Sequence, residues 1–382
     1  MTILENLKDC CGCTACASIC THNAISMKSD DLGFFYPYID SSKCIECGLC
    51  KTCCPIYERR NNKKESFPLG YKAVRHKRDS ILQFSTSGGV FSEIASYTLS
   101  KSGVVYGVAY NDEMEVVHSS AETEDGCRKF VGSKYVQSNV IGVFQKVKAD
   151  VLSGKFVLFT GTPCQVAGLR SFLRKDYKNL LLVDIICHAV PSPQLFKDYI
   201  AFVERKFGQK LSDLRMRDKE KYGWGHKTST RYVFENKRSY LDPKGLIDWN
   251  TIYFSALANR PSCSECMFCN LQRPGDMTMG DFWDDNNNRP ELYSKKGTSL
   301  IIINTIKGKD IFDNLSMYKW DVSEAEAMQY NLQYACPSNP KSDVFTYEYS
   351  QKGFNYVYSK YFNISFLRRL FDKSCSFIRT KL

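Results

Sequence analysis

Eight of the ten cysteines in the first 54 residues fall into two runs of one spacing. Cys10, Cys13, Cys16 and Cys20 give C-x2-C-x2-C-x3-C, and Cys44, Cys47, Cys50 and Cys54 repeat it, followed by Pro55. Three thiolates so spaced wrap three corners of an iron–sulfur cubane, while the fourth cysteine of each run reaches the other cluster. The spacing therefore predicts two [4Fe–4S] clusters. One sits on Cys10, Cys13, Cys16 and Cys54, the other on Cys44, Cys47, Cys50 and Cys20, with Cys11 and Cys53 left over. The small residues Gly12, Ala15 and Gly48 let backbone amides approach the cluster sulfurs. Zinc fits less well, since its sites pair two C-x2-C units a dozen or more residues apart and have no use for a third cysteine two residues on. Disulfides need an oxidising compartment.

The N-terminal unit thus resembles a bacterial two-cluster ferredoxin. It departs from that pattern in one place, where Thr21 follows Cys20 instead of proline. That residue shapes the turn and is not a ligand. A further run, Cys263, Cys266 and Cys269, has C-x2-C-x2-C without an adjacent fourth cysteine. Cys164 in "GTPCQ" and Cys187 in "IICH" are the two candidates to complete a third [4Fe–4S] site. A zinc site or unligated loop thiols are the plainer readings of the same run.

Iron–sulfur clusters move single electrons, whereas most organic substrates change by two, and a flavin bridges that mismatch. Three loops are candidate flavin sites. "STSGG" (Ser85 to Gly89) precedes a helix and can offer amides to a phosphate. "GTPCQ" follows a strand and precedes a helix, at the carboxyl end of a strand, where open sheets bind ligands. "CHAVPSP" occupies the same place after the next strand, and its His188 can hydrogen-bond a cofactor or move a proton. Each loop also has a purely structural reading, a Ser/Pro helix start among them.

The elements that must position these residues follow from apolar patterning. "VFSEIASYTLSKSG" reads as a helix with Val90, Ile94, Tyr97 and Leu99 on one face, ended by Gly103. "VVYGVAY" reads as a strand with "MEVVHSS" as its neighbour. "KFVLFT", the helix "VAGLRSFLRK", "LLLVDIIC" and the helix "PQLFKDYIAFVERKFG" then alternate as a βαβ unit with at least part of its sheet parallel. "SLIIINT" is a later strand, and residues 210–260 read only as mixed strands and loops. The expected fold class is α/β, a mixed sheet with flanking helices, preceded by a small α+β ferredoxin-like two-cluster domain. The expected division is 1–58 for the two-cluster unit, 59–69 for a linker, 70–150 and 151–320 for two regions of the α/β part, and 321–382 for a C-terminal helical tail. That tail ends in "FLRRLFDKSCSFIRTKL", which reads as a basic amphipathic helix.

The loops carry more information in order than singly. "STSGG", "GTPCQVAGL", "DIICHAVPSP" and "CSECMFCNLQRPGDMTMGDFW" together resemble the motif series of the coenzyme F420 hydrogenase/dehydrogenase beta-subunit family, over about residues 70–320. The resemblance implies FAD, iron–sulfur clusters and electron transfer between ferredoxin-type clusters, flavin and an organic acceptor. It places the flavin near Ser87, Gly88 and Gly89, near Thr162, Pro163, Cys164 and Gln165, and near Cys187 and His188. It places the extra cluster on Cys263, Cys266 and Cys269; we take Cys187 as its fourth ligand. Asp281 of "GDFW" is a candidate to contact cofactor or order its loop. Ala189 stands where many members have glycine, which bears on backbone approach to a ligand.

Composition sets outer bounds. With 382 residues, 43% hydrophobic and 24% charged, the chain is globular and long enough for two or three domains. The net charge of +11 is scattered, with small clusters at "KAVRHKR" and "RMRDKEK". This suits an acidic redox partner protein or ferredoxin at least as well as nucleic acid, which we do not expect as a partner. "MTILENLKDCC" lacks a leader-like pattern, and no apolar run is long enough to span a bilayer, so a cytoplasmic protein without a transmembrane segment is expected. The expectation is an iron–sulfur flavoprotein oxidoreductase that relays electrons between the clusters, FAD and an organic substrate or coenzyme F420. A non-catalytic electron-transfer subunit of a larger redox complex is the alternative, and a zinc-stabilised nucleic-acid-binding protein is the reading least compatible with the cysteine spacing.

Overall fold

A computed structural model describes residues 3–61, 67–283 and 289–362. The N-terminal unit is built on a short antiparallel hairpin, β1 (Ile25–Ser29) and β2 (Phe35–Ile39), with the cysteine loops at its end. The main sheet contains β3 (Gly70–His76), β4 (Val104–Tyr110), β5 (Val116–Ala121), β6 (Val157–Gly161) and β7 (Leu180–Ile185). A second, three-stranded antiparallel sheet follows: β8 (Leu211–Asp218), β9 (Ser229–Phe234) and β10 (Ser239–Leu241). β11 (Met277–Asp281), β12 (Ser299–Ile303) and β13 (Met317–Val322) then return to the main sheet, whose eight strands run β13-β3-β12-β11-β7-β6-β4-β5.

The strands at the centre are continuous apolar runs because both faces are covered. Val104, Tyr106, Val157, Phe159, Leu180 and Leu182 face one core, whereas Val105, Leu158, Leu181 and Val183 face another. Helices Val143–Leu152 and Pro163–Leu173 cover the first face, and helix Val90–Ser100 covers the second.

β4, β6, β7 and β11 run parallel to one another. β12 is antiparallel to β11, and β3 antiparallel to β12, so β3 runs with the parallel set. The carboxyl ends of β3, β6, β7 and β11 therefore share one edge of the sheet. "STSGG", "GTPCQ", "CHAVPSP" and "GDFW" all follow strands that end there, as the alternation of motifs predicts for a sheet that is parallel in part.

The two-cluster unit shares a core with the α/β part. Cys11, Cys13, Cys16, Cys54 and Ile56 belong to the same buried cluster as Phe144, Phe159, Val166 and Phe172. At the closest approach a Cβ on Gly168 would sit 2.7 Å from Cys13 Cβ and 2.8 Å from its Sγ. Only glycine lets helix Pro163–Leu173 lie against the first cysteine loop.

Three expectations differ from what is seen. Glu58–Asn61, read with the linker, continues helix Pro55–Asn61. Pro55 suits a first helical position, and Arg59 Nη2 donates to Asn270 Oδ1 and to the Gln272 carbonyl, each at 2.8 Å. Residues 210–260 form the second sheet, closed over by helices Pro193–Phe207 and Ser342–Val357 around Trp249. Within the stretch read as a tail, Phe345, Tyr349, Phe354 and Val357 are buried in that same core. The basic segment 366–382 and residues 284–288 of the polar loop lie outside the described residues. Among the described residues no helix is long and apolar enough to cross a membrane.

Candidate electron-transfer site

The first cysteine loop needs left-handed backbone to turn three thiols inward. Gly12 has φ +70 and Thr14 φ +67, the latter an unusual conformation for a β-branched residue. The next run turns at Gly48, with φ +76. Cys10, Cys13, Cys16 and Cys54 are all buried. Burial, then Cys10, Cys53 and Cys54, push the Cys16 thiol well above its ordinary range. Burial also raises Cys54, with Cys10 adding to it. Cys54 of the second run thus lies with Cys10 and Cys16 of the first, the crossing that the spacing implies.

The complementary set is a cavity walled by Cys20, Cys44, Cys47 and Cys50, with Ile25, Ile39 and Gly48. Cys50 is raised by burial first and by Cys44 and Cys47 after it. This group is the outer one, for Cys47 is exposed and Cys20 and Cys44 are half-buried.

The residues present fit iron–sulfur clusters. Every cysteine among the described residues is free of disulfide bonding. Buried thiols that raise one another's pKa stay protonated unless a cation is bound among them, and a coordinating metal deprotonates them outright. The Gly12 amide donates to Cys10 Sγ and the Ala24 amide to Cys20 Sγ, both at 3.4 Å. The buried Thr14 hydroxyl beside the first group has no partner in the chain. No group of three or more His, Cys, Asp or Glu side chains among the described residues converges on a single metal ion. The two cysteines left over are accounted for. Cys53 donates its thiol to the Cys50 carbonyl at 3.6 Å, and burial pushes it up to about 12. Cys11 hydrogen-bonds both Cys13 and Cys164.

Five more cysteines come together at the inner end of the first group. Cys263 sits on the turn Pro261–Cys263, Cys187 just beyond β7, and Cys164 in the first turn of helix Pro163–Leu173. Burial, then Cys263, Cys164 and Cys266, push Cys187 well above its ordinary range. Cys266 is lowered to about 7, chiefly by a hydrogen bond from Cys269. Both sequence candidates for a fourth ligand are therefore at the group. Its loop is tied to β7 by a fully buried ion pair between Arg273 and Asp184. Arg273 also donates to the Phe268 and Ile185 carbonyls.

The flavin candidates lie along the carboxyl edge of the sheet, with much of their hydrogen bonding spent inside the chain. Ser87 Oγ donates to the Thr298 carbonyl at 2.7 Å, and the Gly88 amide to Ser299 Oγ at 2.8 Å. A Cβ on Gly88 would meet the Val74 carbonyl oxygen at 2.5 Å, so close strand packing accounts for that glycine. Thr162 and Gln165 form a reciprocal capping box around Pro163 and Cys164, and Gln165 Nε2 reaches Ser138 Oγ at 2.9 Å. The amides of "GTPCQ" that were expected to face a ligand are thus partly satisfied by its own side chains. Helix Val90–Ser100 differs, since Gly89, at φ +79, gives it no side-chain cap.

His188 Nδ1 lies 3.1 Å from Asn331 Oδ1, and its Nε2 lies 3.3 Å from Cys336 Sγ. The amide oxygen can only accept, so Nδ1 carries the proton and Nε2 faces the thiol. Asp281 binds Arg217 Nη1 through one oxygen, at 2.5 Å, and Trp224 Nε1 through the other, at 2.8 Å. Lys219 Nζ donates to the Ser87 carbonyl at 3.2 Å. Burial, then Arg217, lower Lys219 to about 8.

Sequence reasoning missed Arg217, Lys219, Asn331 and Cys336. "RMRDKEK" was visible as a basic cluster, yet it read as solvated charge; the alternation that puts Arg217 beside Asp281 shows only once β8 is known to be a strand. A cavity of about 180 Å3, bordered by Gly12, Thr14, Phe35, Gln137 and Arg260, lies between the two-cluster unit and the α/β part, away from the flavin candidates.

Residues 9–56 match the 4Fe-4S dicluster domain family. Residues 154–328 match the family of the C-terminal part of the coenzyme F420 hydrogenase/dehydrogenase beta subunit. No curated protein matches the chain. A solved structure of the F420-reducing [NiFe] hydrogenase complex from Methanosarcina barkeri contains a similar chain, 16% identical, with 77% of this chain and 91% of that one covered at a TM-score of 0.46. The two thiol groups and the two matched regions make this chain an iron–sulfur electron-transfer protein of the coenzyme F420 hydrogenase/dehydrogenase beta-subunit family, carrying a 4Fe–4S dicluster domain at residues 9–56.

Proposed function

We propose that the chain is an iron–sulfur flavoprotein oxidoreductase, linking two N-terminal [4Fe–4S] clusters and a third near Cys187, Cys263, Cys266 and Cys269 to FAD, and from there to an organic substrate or coenzyme F420. The observation that carries this reading is the bridge made by Cys11, which hydrogen-bonds Cys13 of the first group and Cys164 of the innermost one. It joins thiol groups that run from exposed Cys47 to the carboxyl edge of the sheet without a break. When bound, the clusters would supply one-electron carriers and FAD a carrier that takes electrons singly and passes a hydride.

The part played by the chain is to hold and orient. Ser87, Gly88 and Gly89 hold β3 against β12 and leave the start of helix Val90–Ser100 open toward an anionic group. Arg217 and Lys219 supply positive charge beside it. Thr162, Pro163, Cys164 and Gln165 fix the turn above β6, and Asp281 orients Arg217. His188 is the group at this edge able to hold or move a proton, with Asn331 fixing which nitrogen carries it.

The division at 1–58, 59–69, 70–150, 151–320 and 321–382 is kept as a reading of sequence relationships, although the units share cores. Free thiols throughout the described residues accord with a reducing, cytoplasmic setting. Ile45, 61% exposed between Cys44 and Cys47, offers an apolar contact at the outer group. It supports docking of a redox partner protein or ferredoxin, and equally the narrower role of electron-transfer subunit in a larger complex.

The test is reduction of bound FAD by a reduced ferredoxin, followed by the loss of flavin absorbance, in wild type and Cys47→Ser. The proposal expects fast bleaching in wild type and slow bleaching in the variant. Equal rates, or no flavin to bleach, would count against it.

A further inference from the structure

Arg260 is only 1% exposed and lies where the two-cluster unit meets the innermost cysteine group. Its Nε donates to the Cys10 carbonyl at 2.6 Å, Nη1 to Gln137 Oε1 at 2.9 Å and Nη2 to the Phe35 carbonyl at 2.9 Å. Gln137 passes the contact on, donating to the Cys11 carbonyl at 2.9 Å. Gly12 closes the turn, since a Cβ there would lie 2.7 Å from Nη1. The guanidinium packs 4.4 Å from the Tyr36 ring centre. On its other side the Arg260 backbone begins the turn that carries Cys263.

A buried cation is costly unless an opposite charge compensates it. The three acceptors of Arg260 are neutral oxygens, and among the described residues it forms no ion pair with a carboxylate; Asp30 feels its charge without pairing. The charge left over faces the backbone of a cluster-binding loop, and a [4Fe–4S] core on four thiolates is net negative. Around the outer cysteines the cations are exposed: Lys43, 60% exposed, pairs with Asp40, and solvent and salt screen such groups.

We infer that Arg260 is a positioning residue that fixes the Cys10–Gly12 turn and supplies the positive charge that raises the reduction potential of the inner cluster, on Cys10, Cys13, Cys16 and Cys54, above that of the outer one, on Cys44, Cys47, Cys50 and Cys20. This rests on the two-cluster reading of those cysteines. It also sets a direction. One electron given to the outer cluster by a reduced donor protein passes to the inner cluster, with no bond made or broken and no proton moved.

The experiment is a redox titration of the anaerobically purified full chain, with the two clusters followed separately by electron paramagnetic resonance. In wild type the inner cluster reduces first. In Arg260→Gln the ratio of reduced to oxidised inner cluster at a fixed solution potential falls about tenfold or more, as expected for removing a unit charge at close range in a protein interior. The outer cluster and the iron content stay as they were. Arg260→Lys keeps most of the wild-type ratio. Gln137→Glu, which sets a carboxylate against the guanidinium and leaves Arg260 in place, gives a similar fall and serves should Arg260→Gln lose iron. An unchanged inner ratio in the variants that retain iron, or an equal shift of both clusters, overturns the inference. Wild-type protein without iron would instead overturn the cluster reading beneath it.

Discussion

Cys187 and Cys164 show how finely one residue can be assigned. Both thiols lie among Cys263, Cys266 and Cys269, but Cys164 is also held by Cys11 and by Thr162 Oγ1 at 3.2 Å, whereas Cys187 has only a long 3.9 Å contact to the Ala189 carbonyl. The freer thiol is the better ligand. Cys187→Ser should therefore lower iron by about four per chain, one cubane, and Cys164→Ser should leave it intact; unchanged iron in both variants would remove the third cluster from the account. Lys219 gives a second prediction at this scale. With its ammonium lowered to about 8, it is charged at pH 7 and loses its charge as pH rises through that value. FAD affinity, measured by fluorescence titration of deflavinated protein, should fall between pH 7 and 9. Lys219→Arg should flatten the fall, because a guanidinium stays charged. Spacing alone made the eight N-terminal ligands legible, because the cubane imposes it. Arg217, Asn331 and Cys336 were illegible, because each acquires its partner across more than 60 residues of chain.

Helix Pro163–Leu173 is the element on which the two parts of the molecule meet. Its sequence announced a helix after a strand but not the surface against which Gly168 packs. Gly168→Val would drive a branched side chain into Cys13, where less than 3 Å is free. We expect a loss of about 1–3 kcal/mol in unfolding experiments, with iron lost from the inner cluster before the outer. The loop Cys263–Cys269 depends on β7 in a similar way, through Arg273 and Asp184. Breaking that pair with Asp184→Asn leaves a buried guanidinium without its counter-charge and should cost about 3–5 kcal/mol. Calorimetry together with iron analysis checks this, and a stability within about 1 kcal/mol of wild type would show the pair to be dispensable. The strands β6, β7 and β12 were legible as apolar runs, being buried on both faces. β11 and β13 were not, since "MTMGD" and "MYKWDV" carry no clean alternation, and their places in the sheet come from pairing with distant strands.

Over the whole molecule, thiol groups form a line from the outer surface to the edge of the sheet where the motif loops gather. A domain reading by composition separated the two-cluster unit from the rest, yet Cys11, Cys13, Cys16 and Cys54 share a core with Phe159 and Val166 of the α/β part. A shared core explains why the cysteines of one unit can lie in contact with those of the other, as a flexible tether would not. Among the described residues the account needs no other bridge than Cys11 between the first group and the innermost. Its central claim is tested most directly by iron, acid-labile sulfide and flavin analysis of anaerobically purified protein. The account predicts brown protein with about twelve irons, three cubanes, and one FAD per chain. Colourless protein holding zinc and no iron would contradict it.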